Sequence, residues 1–268
     1  SLSLTCVFIP FQLDYLVSND FSAKSIFLLN SIFTLSAVLC EVPTGVLSDW
    51  IGRKKTLVMG GLSMCFGCGF FLLGGATQFF IYFALANIFA ALSMTLVSGC
   101  DSAYLFDLMA SQGVMDRYPK VEGRSTAWKL VGNVLGGVLG FCVARIAIEW
   151  TFVLTAFITL AASVVAAYLP EAQVFRRVDL KLHLAESFKV VRRSKVIVSV
   201  LFYSLFLFPL LRVGIFLDPP HAALHGIRAE YLGLAFALKD IMSALGSFNA
   251  GAIIRKWGSG IGSVTILG

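Results

Sequence analysis

Residues 56–100 run for 45 positions without a single Asp, Glu, Lys or Arg. A helix that crosses a bilayer needs about 20 mostly apolar residues. The run is therefore too long for one crossing. It is broken once, at Gly74-Gly75-Ala76-Thr77-Gln78, so two helices joined by a tight turn are the simplest arrangement. Shorter charge-free runs cover 25–40, 130–144, 150–170, 196–211 and 241–254. None alternates apolar and polar residues, as the strands of an outer-membrane barrel would. Composition closes the remaining escape. Hydrophobic residues make up 58% of the 268-residue chain and charged residues 13%, with 24 glycines counted outside the 58%. Soluble domains average roughly 45–50% apolar with Gly included, and about 25% charged. With a mean hydropathy of +0.86, the chain cannot be a soluble enzyme, a nucleic-acid-binding domain or a disordered segment. It is an all-α polytopic membrane protein.

The apolar runs predict eight helices and the start of a ninth: up to 17, 24–47, 55–73, 78–108, 125–146, 150–169, 196–217, 229–254, and one opening near 258. The first six form an N-terminal bundle over 1–170. Residues 171–195 form a linker, and 196–268 begin a second bundle. The chain opens on Ser1 and stops inside an apolar run, so a fragment is expected. The net charge of +6 does not point to nucleic acid, because the charges lie between the spans. Of the 21 Lys and Arg residues, 16 fall in loops 2–3, 4–5, 6–7 and 8–9, and four (Lys24, Arg145, Arg212 and Arg228) in the opposite set. Basic residues accumulate in cytoplasmic loops, so the first set is assigned to the cytoplasm and the protein to the cell's inner or plasma membrane. In the linker, Leu180, Leu184, Phe188 and Val191 recur at helical spacing, with Lys181, Lys189, Arg192 and Arg193 elsewhere around the turn. That pattern fits a helix lying on the inner leaflet or a solvated connector. The second bundle repeats features of the first: Phe11-Gln12-Leu13-Asp14 matches Ile215-Phe216-Leu217-Asp218, and Gly45 and Gly52 match Gly251 and Gly258. Parallel repeats of this kind occur in secondary transporters, whose substrate site lies between the halves.

The most specific stretch is Glu41-Val42-Pro43-Thr44-Gly45-Val46-Leu47-Ser48-Asp49-Trp50-Ile51-Gly52-Arg53-Lys54-Lys55. It resembles the loop 2–3 signature of the major facilitator superfamily: a Gly, an acid four residues on, then Gly followed by basic residues. Trp50 stands where a basic residue is usual. The segment 101–107, Asp-Ser-Ala-Tyr-Leu-Phe-Asp, and the Gly-rich fifth helix after Glu122-Gly123-Arg124 are also similar to bacterial members. The resemblance extends over essentially the whole chain, with the last three or four helices of such a protein missing. It implies a conformational latch at Gly45, Asp49, Gly52, Arg53 and Lys54, with Asp107 as an acidic partner for Arg53. On physical grounds Gly45 would let two helices approach closely, and Asp49 can pair with Arg53 or face a helix N-terminus. The alternative is that these charges only set topology.

Helix five carries Gly132, Gly136, Gly137 and Gly140, a small-residue stripe suited to packing. The family's antiporter signature in this helix has a Gly-Pro pair; Leu135-Gly136-Gly137 lacks the Pro. Proton-exchange efflux is therefore only slightly preferred over uptake. Ionisable groups inside spans are functional candidates by default. Asp101, about two turns inside helix four, and Asp240, mid-helix eight, are the first choices for a proton-carrying carboxylate. Lys239 and Arg212 could meet an anionic substrate, and Glu41 and Asp14 complete the set. Structural ion pairs or snorkelling side chains are the alternative for each.

His221 and His225 are four apart, near Asp218, but no third ligand is assured and no metal site is assigned. Cys65 and Cys68 lie mid-span, which argues against zinc or redox chemistry. Nothing resembles a phosphate-binding loop, so no cofactor and no enzymatic activity are expected. The expected partners are a small-molecule substrate, the lipid bilayer and protons, with no nucleic acid, and the protein is expected to be monomeric. The function predicted is secondary active transport by alternating access; a non-transporting sensor or scaffold, or an inactive truncated chain, is the alternative.

Overall fold

A computed structural model describes residues 7–171 continuously, together with positions 198–199, 203, 221, 224–226, 231–232, 234–235, 237–239 and 241–242. The connector after residue 171, most of the seventh and eighth spans, the ninth, and the repeat partners Asp218, Gly251 and Gly258 lie outside the described residues.

A 3-10 turn, Ile9–Phe11, leads into α1 (Gln12–Ser18). Then follow α2 (Ala23–Ile51), α3 (Arg53–Thr77), α4 (Phe80–Val97) and α5 (Cys100–Ser111). A second 3-10 turn, Met115–Arg117, precedes α6 (Tyr118–Ala144) and α7 (Glu149–Ala167). There is no strand among the described residues. Five stretches are long and apolar enough to cross a bilayer: α2, α3, α4 taken together with α5, Val121–Ala144 of α6, and α7. The chain is an all-α polytopic protein.

Local chemistry sets the helix ends. Ser22 caps α2, its hydroxyl accepting the Ser25 N–H at 3.3 Å, as N-cap serines do. At the far end of α3, Gln78 adopts φ 59° and its N–H donates to the Gly74 carbonyl at 2.7 Å. The predicted break at 74–78 thus falls at its last residue. Gly74 lies within the helix, and the Phe83 ring fills the place where a side chain would sit, 2.8 Å from a Cβ placed there.

The core is built around α3, which packs against α4 and α7, while α4 also packs against α2. At one end Phe8, Tyr15, Phe71 and Phe83 gather with Phe152, whose centroid lies 5.0, 4.7 and 4.9 Å from those of Phe8, Tyr15 and Phe71. Along the α3–α7 seam, Thr151, Thr155, Thr159 and Ser163 recur every fourth residue and are all buried. Each hydroxyl donates to a carbonyl of its own helix or just before it, at 2.6 to 2.9 Å. Small α3 residues face them: a Cβ on Gly61 would run into the Ser163 hydroxyl and come within 2.8 Å of the Thr159 carbonyl oxygen.

Two sequence expectations need correction. The fourth helix is not one rod over 78–108. It stops at Val97 and restarts at Cys100, because Gly99 takes φ +70°, a left-handed conformation that interrupts the helix and that glycine adopts at no steric cost. The fifth helix begins at Tyr118 rather than 125, nucleated by a proline in its first turn, where the missing N–H costs nothing. Glu122 and Arg124, expected in a loop, are therefore helical.

Candidate functional site

One residue, Gly52, separates α2 from α3. Its φ of 94° and ψ of 144° are open to glycine but strained for any L side chain. Its N–H donates to the Ser48 carbonyl at 3.2 Å, and its own carbonyl accepts from the Thr56 N–H at 3.2 Å and the Thr56 hydroxyl at 3.1 Å. The two helices reverse direction here with no loop between them.

That reversal sets the charges. Asp49 lies in the last turn of α2 and Arg53 opens α3. An acid at a helix C-terminus and a base at an N-terminus both oppose the helix dipole, so neither is placed to stabilise its own helix. They offset each other across the joint, with Arg53 Nη2 3.5 Å from Asp49 Oδ1. On its other side Arg53 Nε donates to Asp107 Oδ2 of α5 at 2.5 Å. The side chains of Arg53 and Asp107 are about three-quarters buried, and that of Asp49 is about half exposed. Lys54 lies beside the cluster, half-buried. Trp50 is 82% exposed, so the aromatic that replaces a basic residue points away from the described helices.

Sequence reasoning missed how far α5 is tied down around this joint. Cys100 Sγ donates to the Arg53 carbonyl at 3.4 Å and lies 3.4 Å from Ser48 Oγ. Asp101 Oδ2 is 3.9 Å from Lys129 Nζ of α6, and Ser102 Oγ donates to Glu122 Oε1 at 2.6 Å. Tyr104 donates its hydroxyl to the Pro170 carbonyl at 2.6 Å. These partners are 20 to 66 residues apart along the chain, beyond the reach of any local pattern.

The remaining candidates are dispersed. Asp101 lies in the first turn of α5, just past the break at Gly99, and within the apolar stretch Phe80–Ser111. Around Gly45 no second helix comes close among the described residues: a Cβ there would meet nothing within 4 Å. Glu41 is exposed on α2. Asp14 lies on α1, with one carboxylate oxygen, Oδ2, buried and without a hydrogen-bond partner among the described residues. Its neighbour Tyr15 bonds the Phe71 carbonyl, 18 residues along α3 from Arg53 and hence about 27 Å away at 1.5 Å per residue. Asp14 and Asp101 thus occupy opposite ends of the bundle. Lys239 is described, whereas Asp240 and Arg212 lie outside the described residues. In helix five, Gly140 does pack closely, with Phe11 and Val7 carbons 2.9 and 3.0 Å from a Cβ built there. The His221 and His225 rings stand 4.7 Å apart, and no group of three or more His, Cys, Asp or Glu suited to a metal occurs among the described residues.

The family model described as Major Facilitator Superfamily matches residues 1–268. The chain is also 24% identical over 191 residues to an uncharacterized MFS-type transporter, YxaM, of Bacillus subtilis (strain 168). That match covers 70% of this chain and 46% of the relative, so the chain spans about half the length of the curated relative it matches.

Proposed function

The chain belongs to the major facilitator superfamily, a family of membrane transporters, and from that premise we propose that it moves a small solute across the membrane by alternating access, coupled to protons, with export slightly favoured over uptake. The observation that carries the reading is the placement of Arg53 between Asp49 and Asp107 at a one-residue joint. Three charges bridge three helices there, two of them set against their own helix dipoles. Within the cluster the Asp49 pair costs little to open, because its carboxylate is half exposed and exposed pairs contribute about 1 kcal/mol or less, while the mostly buried Arg53–Asp107 pair is the firmer tie. The cluster therefore acts as a latch on the cytoplasmic face. When the pairs are made, α2, α3 and α5 close as a group; when they break, the same face opens.

Proton coupling is assigned to carboxylates in or near the spans. Asp101 and Asp240 remain the first choices, with Asp14, Glu41, Lys239 and Arg212 as further members of the transport path. Asp101 has a basic neighbour in Lys129, so it would exchange a proton against loss of that ion pair rather than in isolation.

The test is proton movement in vesicles carrying the full-length protein, challenged with a panel of cationic and anionic solutes. Wild type is compared with Asp101→Asn, Asp240→Asn and Asp107→Asn. Solute-dependent proton movement that one of the first two abolishes supports coupled transport. Solute flux without proton movement overturns the coupling. Binding without any flux overturns transport and favours the sensor or scaffold alternative.

A further inference from the structure

The break in the fourth span divides the work of that span. α4 has 18 residues, about 27 Å of helix at 1.5 Å per residue, close to the ~30 Å hydrocarbon thickness of a bilayer. It can span on its own. α5 then adds 12 residues, about 18 Å of helix, at the end of the bundle where α2 meets α3. It is bounded on both sides by glycines in left-handed conformation, Gly99 and Gly113, each at φ +70°. A Cβ at either would meet nothing within 4 Å, so packing does not require glycine there; the backbone conformation does. Between these two joints α5 makes polar contacts to three other elements. Asp107 holds the start of α3, Asp101 and Ser102 hold α6, and the Tyr104 hydroxyl holds the carbonyl of Pro170 just beyond α7. Tyr104 is itself buried, so its ring is fixed against its surroundings, and the bond it makes is part-buried.

A short stiff helix between two glycine joints, tied at several points, moves as one body or not at all. We infer that α5 is a strut that turns on Gly99 and Gly113 and links the Arg53–Asp107 latch to the chain leaving α7, with Tyr104 as the positioning residue at the second contact. The strut rests on the reading of the Arg53 cluster as a latch. It gives that latch a mechanical output. Residue 170 is the last of the first bundle, and the connector to the second bundle begins there by sequence. Opening the latch releases the start of that connector in the same movement, and restraint of the connector holds the latch shut.

Cys100 is a built-in reporter, because its thiol is buried between Ser48, Arg53 and the first turn of α5. The experiment measures alkylation of Cys100 by N-ethylmaleimide in the full-length protein in vesicles, read by peptide mass spectrometry. Wild type is compared with Tyr104→Phe, Asp107→Asn and the double variant. Tyr104→Phe keeps the ring and removes only the hydroxyl. In a single two-state movement every bond that breaks adds its own cost to opening, so fold-changes in opening multiply. The expected result is a rise of about fivefold for each single variant, the scale of one hydrogen bond, and about 25-fold for the pair. A Tyr104→Phe rate within about twofold of wild type overturns the strut, as does a double variant no faster than Asp107→Asn alone. Cys68, fully buried in α3, must stay unreacted throughout; its labelling alongside Cys100 means general loosening and also overturns the strut. The readout does not depend on flux. A protein that shows the multiplicative pattern but carries no solute keeps the strut and loses the transport reading.

Discussion

α3 and α6 are both glycine-rich spans, with peak mean hydropathies of 1.9 and 1.5, yet they hold opposite places in the molecule. In the most apolar window, 44% of α3 is buried against 17% of α6. The difference lies in what the glycines meet. On α3, Gly60, Gly61, Gly67 and Gly74 each have a neighbour within 3.5 Å of where a Cβ would be, on α4 or α7. On α6, the close neighbours of Gly140 are side-chain carbons of Phe11 and Val7 at 2.9 and 3.0 Å, with the Val7 carbonyl oxygen farther off at 3.4 Å. Hydropathy places a helix in the membrane; small residues facing another backbone place it in the centre. Lipid is as apolar as leucine, so helices associate there through close packing rather than through burial of apolar surface.

Substitutions at these glycines test the contrast directly. Gly61→Ala should have the largest effect, about 2–3 kcal/mol, because the new methyl meets a backbone oxygen and a short side chain that cannot rotate far. A thermal unfolding midpoint within a degree of wild type would show that α7 is not seated on α3 as described. Gly52→Ala follows at about 1–2 kcal/mol, the cost of a left-handed backbone for an L residue; its signature is lost stability with no change in the packing of α3 on α7. Gly140→Ala should cost about 1 kcal/mol, since the ends of Phe11 and Val7 can give way. A cost equal to that of Gly61→Ala would erase the distinction between the two spans. Gly45→Ala should fall within about 0.5 kcal/mol of wild type, since a Cβ there meets nothing within 4 Å among the described residues. A larger loss in the full-length protein would point to a helix of the second bundle lying against that face.

The membrane class, the antiparallel order of the spans and the motif at the α2–α3 joint were legible because they rest on signals contained in the local chain: runs without charge, Pro and Gly punctuation, and a fixed spacing from Gly45 to Lys55. The break at Gly99 was not. Ser98-Gly99-Cys100 is as apolar as its surroundings, and glycine is common inside membrane helices, so only the observed φ separates a break from a packing site. The same break puts Asp101 in the first turn of a separate helix, which its local sequence does not announce. The partners of α5 could not be read at all, because Lys129, Glu122 and Pro170 come near it only once the helices are assembled. Gly45 shows where a residue type alone does not name a partner. Its residue type suits close packing, but its face meets nothing among the described residues.

The seam of Thr151, Thr155, Thr159 and Ser163 bears on how the protein is made. Each of these hydroxyls already finds an acceptor in the chain just before it, so α7 presents almost no unsatisfied polar group to lipid before it meets α3. Unbonded hydroxyls would have to be held in water or beside a partner until assembly. α7 can instead leave the insertion machinery as an independent segment and find α3 afterwards by lateral diffusion. Of the four, Ser163 is the one that also reaches across, to the Val58 carbonyl at 3.3 Å, a bond that forms only once the two helices are in register.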